Sequence, residues 1–253
     1  MSEHIKSKIK ELSEKEGIDI LLAAEGGSRS WGIPSQDSPY EIGLIYMEKA
    51  DQQAGIEKIS SLSKYEDKEL RFMGWGLRET FYQLKNSERR LFEWLQSPVI
   101  YQQDPTFKAE MWKLAQQYFQ PIRSLEQYQK AAIDHLHDDP DYQQMKLDQL
   151  FMLLQPVLAA KWVMDNSSIP PVEFRPLLNQ VESEGLEDDI KNMVKIKRQA
   201  EGQNICHVPI SIRAFVNKEL RSLKSYLPES RPKGKNDPTA LEEYFRQLTG
   251  SEL

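Results

Sequence analysis

The 253-residue chain has one cysteine, Cys206, so no disulfide can form within it. Nor is there an apolar run approaching the roughly 18 to 20 residues needed to cross a bilayer. The first residues, MSEHIKSKIKELSEKEG, read as a charged amphipathic helix and lack the apolar stretch of a signal peptide. Positive charge is not in excess: 33 Lys and Arg stand against 39 Asp and Glu, a net charge of -6. That balance excludes a protein that coats nucleic acid by bulk electrostatics, while leaving room for a local basic groove. No repeat at a solenoid period is present. The simplest reading is a cytoplasmic protein with no membrane segment. Its 39% hydrophobic and 28% charged residues are ordinary for a folded chain, and its length allows one large core or two modest ones.

Apolar spacing divides the chain into two characters. Ile5, Ile9 and Leu12 recur at helical intervals over residues 2–16. The run 18-IDILLAA-24 is short and apolar and ends at Gly26-Gly27, as a buried strand closing on a tight turn would. Further strands are predicted at 40-YEIGLIYM-47, after the turn signal SQDSP, and at 67-DKELRFMG-74. Leu77, Phe81, Leu84, Leu91 and Trp94 then predict a helix over 75–95. From about residue 103 the spacing is helical throughout (105–119, 122–138, 143–165, 171–182, 186–201 and 209–226), with prolines at the boundaries. The stretch 227-LPESRPKGKNDP-238 reads as a linker to a last helix, TALEEYFRQL.

One stretch carries chemistry. A Gly-Ser turn opening a helix offers backbone N–H groups and a hydroxyl to a triphosphate. Carboxylates at i and i+2 of the next strand share a face and can hold two Mg²⁺ ions, with a third from a neighbouring strand. The pieces 25-EGGSRSWG-32, 35-SQDSPYEIGLIY-46, 69-ELRFMGWGLRE-79, 93-EWLQSPVIY-101 and 156-PVLAAKW-162 bear on that pattern. In order and spacing they resemble the predicted nucleotidyltransferase family of the DNA polymerase β superfamily, the branch associated with RNA-repair operons. The resemblance covers roughly residues 1–225.

The departures fall where the family does its chemistry. By the resemblance, its two metal-binding aspartates correspond to Pro39 and Glu41, the arginine that follows to Gly43, and the third carboxylate to Arg71. The Asp after its tryptophan becomes Gly76; a Lys-Lys pair in its helical part becomes Asp148 and Gln149, and an Arg-Pro becomes Gln155-Pro156. Glu25, Gly27, Ser28, Arg29 and Trp31 remain. Each exchange of charge beside a divalent ion is worth several kcal/mol even at an effective dielectric of about 20. Glu41 is therefore the one candidate catalytic carboxylate and the one candidate metal ligand on the strand, with Gly27, Ser28 and Arg29 the candidate nucleotide and phosphate ligands. Glu25 and Asp37 could supplement it only weakly, since Asp37 lies in the turn before the strand. Arg71 is expected to pair with Glu41, because their family counterparts converge on one ion.

Other residues read more plainly. Trp31, Trp75, Trp94, Trp112 and Trp162 read as core, with base stacking as the alternative. His135 and His137, with Asp138 and Asp139, form a solvated helix end, and Cys206-His207 a packed loop without partner ligands. The segment 191-KNMVKIKR-198 reads as a solvated helix face, with a phosphate-backbone contact as the alternative. Arg213, Lys218, Arg221 and Lys224 would extend it.

The expected fold is α+β. An N-terminal nucleotidyltransferase-like domain with a small mixed sheet (1–102) precedes an all-helical domain (103–226), then a linker and C-terminal helix (227–253), with a cleft between the two domains. The expected function is a nucleotidyltransferase-fold protein that has lost metal-dependent transfer, needs no cofactor, and binds a partner protein, an RNA or a nucleotide. The alternative keeps the family activity, moving a nucleoside monophosphate from an NTP to a hydroxyl on RNA, protein or a small molecule, with Mg²⁺ and NTP as cofactors. A third class is a structural protein whose cleft is closed. The partner and the oligomeric state are left open.

Overall fold

The computed structural model describes residues 1–48, 63–66, 69–136, 142–200, 204–229 and 237–250. In chain order its elements are α1 (Ser2–Glu16), β1 (Ile18–Glu25), α2 (Gly27–Ser30), β2 (Tyr40–Glu48), β3 (Ser63–Glu66), β4 (Leu70–Gly76), α3 (Leu77–Lys85), α4 (Arg89–Gln96), β5 (Ile100–Gln103), α5 (Pro105–Tyr118) and α6 (Pro121–Leu136). Then follow β6 (Gln144–Lys146), α7 (Leu147–Asn166), α8 (Phe174–Leu178), α9 (Glu184–Gln199), β7 (Ile205–His207), α10 (Ile210–Glu229) and α11 (Thr239–Thr249). Among the described residues no helix is long and apolar enough to cross a membrane.

The chain forms two compact units. The first comprises Met1–Ser30, Pro39–Tyr118 and Lys235–Leu253. It is built on a five-stranded sheet in the order β3-β4-β2-β1-β5, in which β2 and β4 run parallel and the other neighbours antiparallel. Gly17 ends α1 in the left-handed region (φ 61°), where glycine carries no Cβ penalty, and its N–H closes on the Ser13 carbonyl. The chain can therefore turn at once into β1, and the buried Ile5 and Ile9 of α1 pack with Ile18, Ile20, Ile42, Leu44 and Phe72. Because side chains alternate along a strand, this places Ile42, Leu44 and Tyr46 on one face of β2 and Glu41, Gly43 and Ile45 on the other.

The second unit comprises Trp31–Ser38 and Phe119–Gly234. Its core centres on α7, whose Phe151 meets Phe174 edge-on with ring centres 5.6 Å apart. Trp31 joins this core and its carbonyl accepts the Phe174 N–H. Lys197 of α9 turns inward. Its ammonium is ion-paired with Asp148 and lies 5.7 Å from the centre of the Phe151 ring. The segment 191–198 is thus not a uniformly solvated basic face, since its Lys197 is only 1% exposed.

Several expectations need correction. The helix expected over 75–95 is two, α3 and α4, broken where Ser87 adopts a left-handed backbone (φ 55°). Periodicity continues across that break because both helices pack apolar faces inward, and a spacing pattern cannot register a three-residue break. Residues 205–207 form a strand paired with 144–146, not a loop, and 144–146 precede the helix expected from 143. β3 and β5 also add edge strands that the sequence did not announce; four residues each give too little alternation to detect. α10 runs to Glu229, past the expected linker start. Within the first unit, α5 packs on β1, α3 and α4, and α11 packs on α3. His137, Asp138, Asp139 and the linker residues 230–236 lie outside the described residues.

The Lys197–Asp148 pair is unequally buried, with Lys197 at 2% side-chain exposure and Asp148 at 55%. Removing the carboxylate strands a buried ammonium, whereas removing the ammonium leaves a carboxylate that water can solvate. Asp148→Ala is accordingly expected to cost about 3 kcal/mol and Lys197→Met less than about 1.5 kcal/mol, measured by urea denaturation at pH 7.

Candidate functional site

The site is built on the end of β1, the turn after it, and the start of β2 beside β4. Parallel pairing sets Glu41 opposite Arg71, Gly43 opposite Met73 and Ile45 opposite Trp75. Residues opposite each other in register present side chains to the same face. Arg71 Nη1 lies 3.5 Å from Glu41 Oε1, so the expected ion pair is present. Both side chains keep substantial solvent contact, 52% and 37%, so the pair adds at most about 1 kcal/mol to stability. Its larger consequence is local: a fixed cation occupies the flank of the carboxylate, where a metal ion would have to approach.

Pro39 presents no ligand, and its carbonyl accepts a hydrogen bond from Arg29 Nε at 3.3 Å. The Arg29 guanidinium stacks 3.7 Å above the Tyr40 ring, a cation–π contact that holds Arg29 along the start of β2. Gly27 has a left-handed backbone (φ 57°), and a Cβ there would stand 2.4 Å from Glu41 Oε2. The left-handed conformation is what favours glycine here, and the bare Cα lets the Glu41 carboxylate pack against the turn. The Gly26 N–H donates to the Glu41 carbonyl at 2.6 Å, tying the turn to β2. Ser28 lies half-buried in α2.

Glu25 is a buried carboxyl, 1% exposed. Its Oε1 accepts the Glu41 N–H at 2.9 Å and its Oε2 accepts the Tyr101 hydroxyl. Burial pushes its pKa up to about 6, against the opposing pull of the Tyr101 and Glu41 hydrogen bonds and the Arg29 charge. Burial and the bond to Glu25 raise the Tyr101 hydroxyl in turn. On α4, burial raises Glu93 as well, partly offset by Arg89, whose Nη1 lies 3.0 Å from the carboxylate.

Trp94 is a site residue that the sequence reads as core, with base stacking as the alternative. A Cβ on Gly43 would lie 2.1 Å from Trp94 Cε2, so the indole rests directly on the bare backbone of β2. Trp94 also packs on Trp75, ring centres 4.4 Å apart. The signal was in the sequence: glycine inside a strand marks close approach by another group. By the resemblance, this is also the position of the family's arginine. Tyr101 had no comparable signal, since its contact with Glu25 depends on β5 pairing with β1.

A two-metal site would need carboxylates converging on one point. Here Glu41 is engaged by Arg71, Glu25 is engaged by two donors, and Pro39 contributes none. Among the described residues no three His, Cys, Asp or Glu side chains are grouped to hold a metal ion. The donor set does not fit a pair of Mg²⁺ ions.

Comparison with known proteins gives a family. The model of the RNA repair pathway DNA polymerase beta family matches residues 1–247. The chain belongs to that family. Across 95% of its length it is 29% identical to the uncharacterized protein YcgL of Bacillus subtilis (strain 168), covering 94% of that protein. Among solved structures, a nucleotidyltransferase-like protein from Exiguobacterium sibiricum 255-15 aligns over 90% of this chain and 75% of its own, at 11% identity and a TM-score of 0.33. In this polymerase beta family member, then, Glu41, Gly43 and Arg71 sit at positions where the resemblance leads one to expect Asp, Arg and a carboxylate.

The folded Glu25 holds its proton to about pH 6, whereas the unfolded carboxyl releases it near its ordinary value of 4.5, so the folded state binds more protons between those values. The associated stability is full below pH 4.5 and lost as pH rises through 6. Relative to Glu25→Gln, the native protein is expected to lose about 2 kcal/mol between pH 4 and pH 7, read from urea titrations of both at each pH. At Gly43, the overlap with Trp94 should make Gly43→Ala cost about 3 kcal/mol, but less than about 1 kcal/mol in a Trp94→Leu background, a coupling that a double-mutant cycle measures directly.

Proposed function

We propose that this member of the RNA repair pathway DNA polymerase beta family no longer transfers nucleotides through bound metals and works instead by binding a partner, whether a protein, an RNA or a nucleotide. The observation that carries the reading is the Glu41–Arg71 pair: the one carboxylate at the positions of β2 that the resemblance assigns to metal binding faces a guanidinium 3.5 Å away. Two-metal transfer needs cations that stabilise both the entering and the leaving oxygen. A single carboxylate shared with an arginine offers neither the charge nor the open coordination positions. The turn at Gly26-Gly27-Ser28 keeps its backbone, so the capacity to contact an anion is less damaged than the capacity to hold a metal. Glu41 packed against Gly27 nevertheless places negative charge at that turn, which favours a partner other than a free triphosphate.

Titration calorimetry with ATP and GTP, each with Mg²⁺, run beside a transfer assay with labelled NTP on RNA and protein acceptors, separates the readings. The expected result is no label transfer and nucleotide binding no tighter than about 100 μM, the weak regime for a site lacking its metals. Metal-dependent transfer that disappears in Glu41→Ala would overturn the proposal.

A further inference from the structure

Away from Glu41, the first unit carries a cavity of about 640 Å³ between α3 and α11. That volume lies within the range of small-molecule sites, roughly 300 to 1,000 Å³. Its floor is aromatic: Phe81 and Phe245 meet edge-on with ring centres 5.4 Å apart, and Leu241 lies buried beside them. Its rim is cationic. Arg78 and Lys85 from α3 and Arg246 from α11 line it against a single carboxylate, Glu242. The Arg78 guanidinium stands 5.8 Å from the centre of the Phe245 ring. In a chain of net charge -6, three cations against one anion around an aromatic floor is a local inversion of charge. Tyr82, 61% exposed, extends the apolar surface outward.

We propose that this groove is a binding site for an aromatic anion, a planar ring bearing a phosphate, sulfonate or carboxylate. The ring would lie against Phe81 and Phe245, and the anionic group would meet Arg78 and Arg246 from opposite walls. Aromatic faces favour a flat π-system, and guanidinium groups favour a planar or tetrahedral oxyanion over a neutral polar group. The cavity volume suits one such molecule. Binding would also act on the fold, because Leu241 is the sole buried residue of α11. A helix held by so little apolar burial is poorly anchored, and a ligand touching both walls would fasten it to α3. None of the lining residues takes part in the Glu41 site, so this assignment and the proposed function stand or fall separately.

The test uses the full chain and two fluorescent probes, 8-anilinonaphthalene-1-sulfonate and its uncharged relative N-phenyl-1-naphthylamine. The sulfonate probe is expected to bind, and Arg78→Gln/Arg246→Gln to weaken it about a hundredfold, a factor of about ten for each of the two lost charge-assisted hydrogen bonds, while the uncharged probe changes by less than about twofold. Competition by 1-naphthyl phosphate or 1-naphthoate supports the assignment, and the stronger competitor identifies the anionic group. Amide hydrogen exchange over residues 239–249 is expected to slow when the sulfonate probe is bound. Equal loss of both probes in the double variant, displacement by neither naphthyl anion, or unchanged exchange in α11 would each overturn the proposal.

Discussion

Parallel pairing of β2 with β4 puts residue 41 beside residue 71 whatever side chains stand there, and the chemistry of this face turns on that constraint. Two carboxylates in register would repel unless cations lay between them. One carboxylate and one guanidinium in the same register attract and need nothing between them. The exchange at residue 71 therefore does more than delete a ligand. It supplies within the chain a positive charge beside Glu41, so this carboxylate has a partner in its own sheet.

The neighbouring positions behave consistently with that change. Gly43 leaves a strip of bare strand, and Trp94 fills it, supported by Trp75. Glu25 sits below the turn with both oxygens bonded, one to the backbone of Glu41 and one to Tyr101. A buried carboxyl used in this way fixes the ends of three strands relative to one another, since β1, β2 and β5 each contribute a group to it. The same atoms held apart by solvent would make a more open and more reactive site. Here they are spent on packing and hydrogen bonding.

Much of this was legible in the sequence because the informative positions lie on strands with strong local signals. Ile18–Glu25 and Tyr40–Glu48 are apolar runs bounded by turn residues, and the resemblance sets Glu41 and Arg71 against one another. What escaped detection depends on long-range pairing. β5 is four residues long and is a strand only because β1 offers it an edge, so the Tyr101–Glu25 contact could not be read from either segment. Lys197 looked like part of a basic face because its neighbours in sequence are lysine and arginine; it is buried because Asp148 and the Phe151 ring offer it a partner on another helix. The α3–α11 groove joins residues about 160 positions apart, beyond the reach of any local pattern.

The order in which such a site could lose its metals is constrained by the same electrostatics. Placing arginine at residue 71 while two aspartates still bound metal on β2 would set a guanidinium against divalent cations, a repulsion of several kcal/mol at close range even at an effective dielectric of about 20. Were an aspartate at residue 39 lost first, the ions would be weakened, and a cation at residue 71 would no longer be opposed and would gain a partner in Glu41. Trp94 can settle on β2 only once no side chain projects from residue 43, because its ring occupies the place of that Cβ. Residue 71 is therefore coupled to the charge on β2, whereas residue 43 is coupled to Trp94. Arginine at 71 is tolerated the better for the carboxylate that faces it, and glycine at 43 for the indole that lies on its bare backbone.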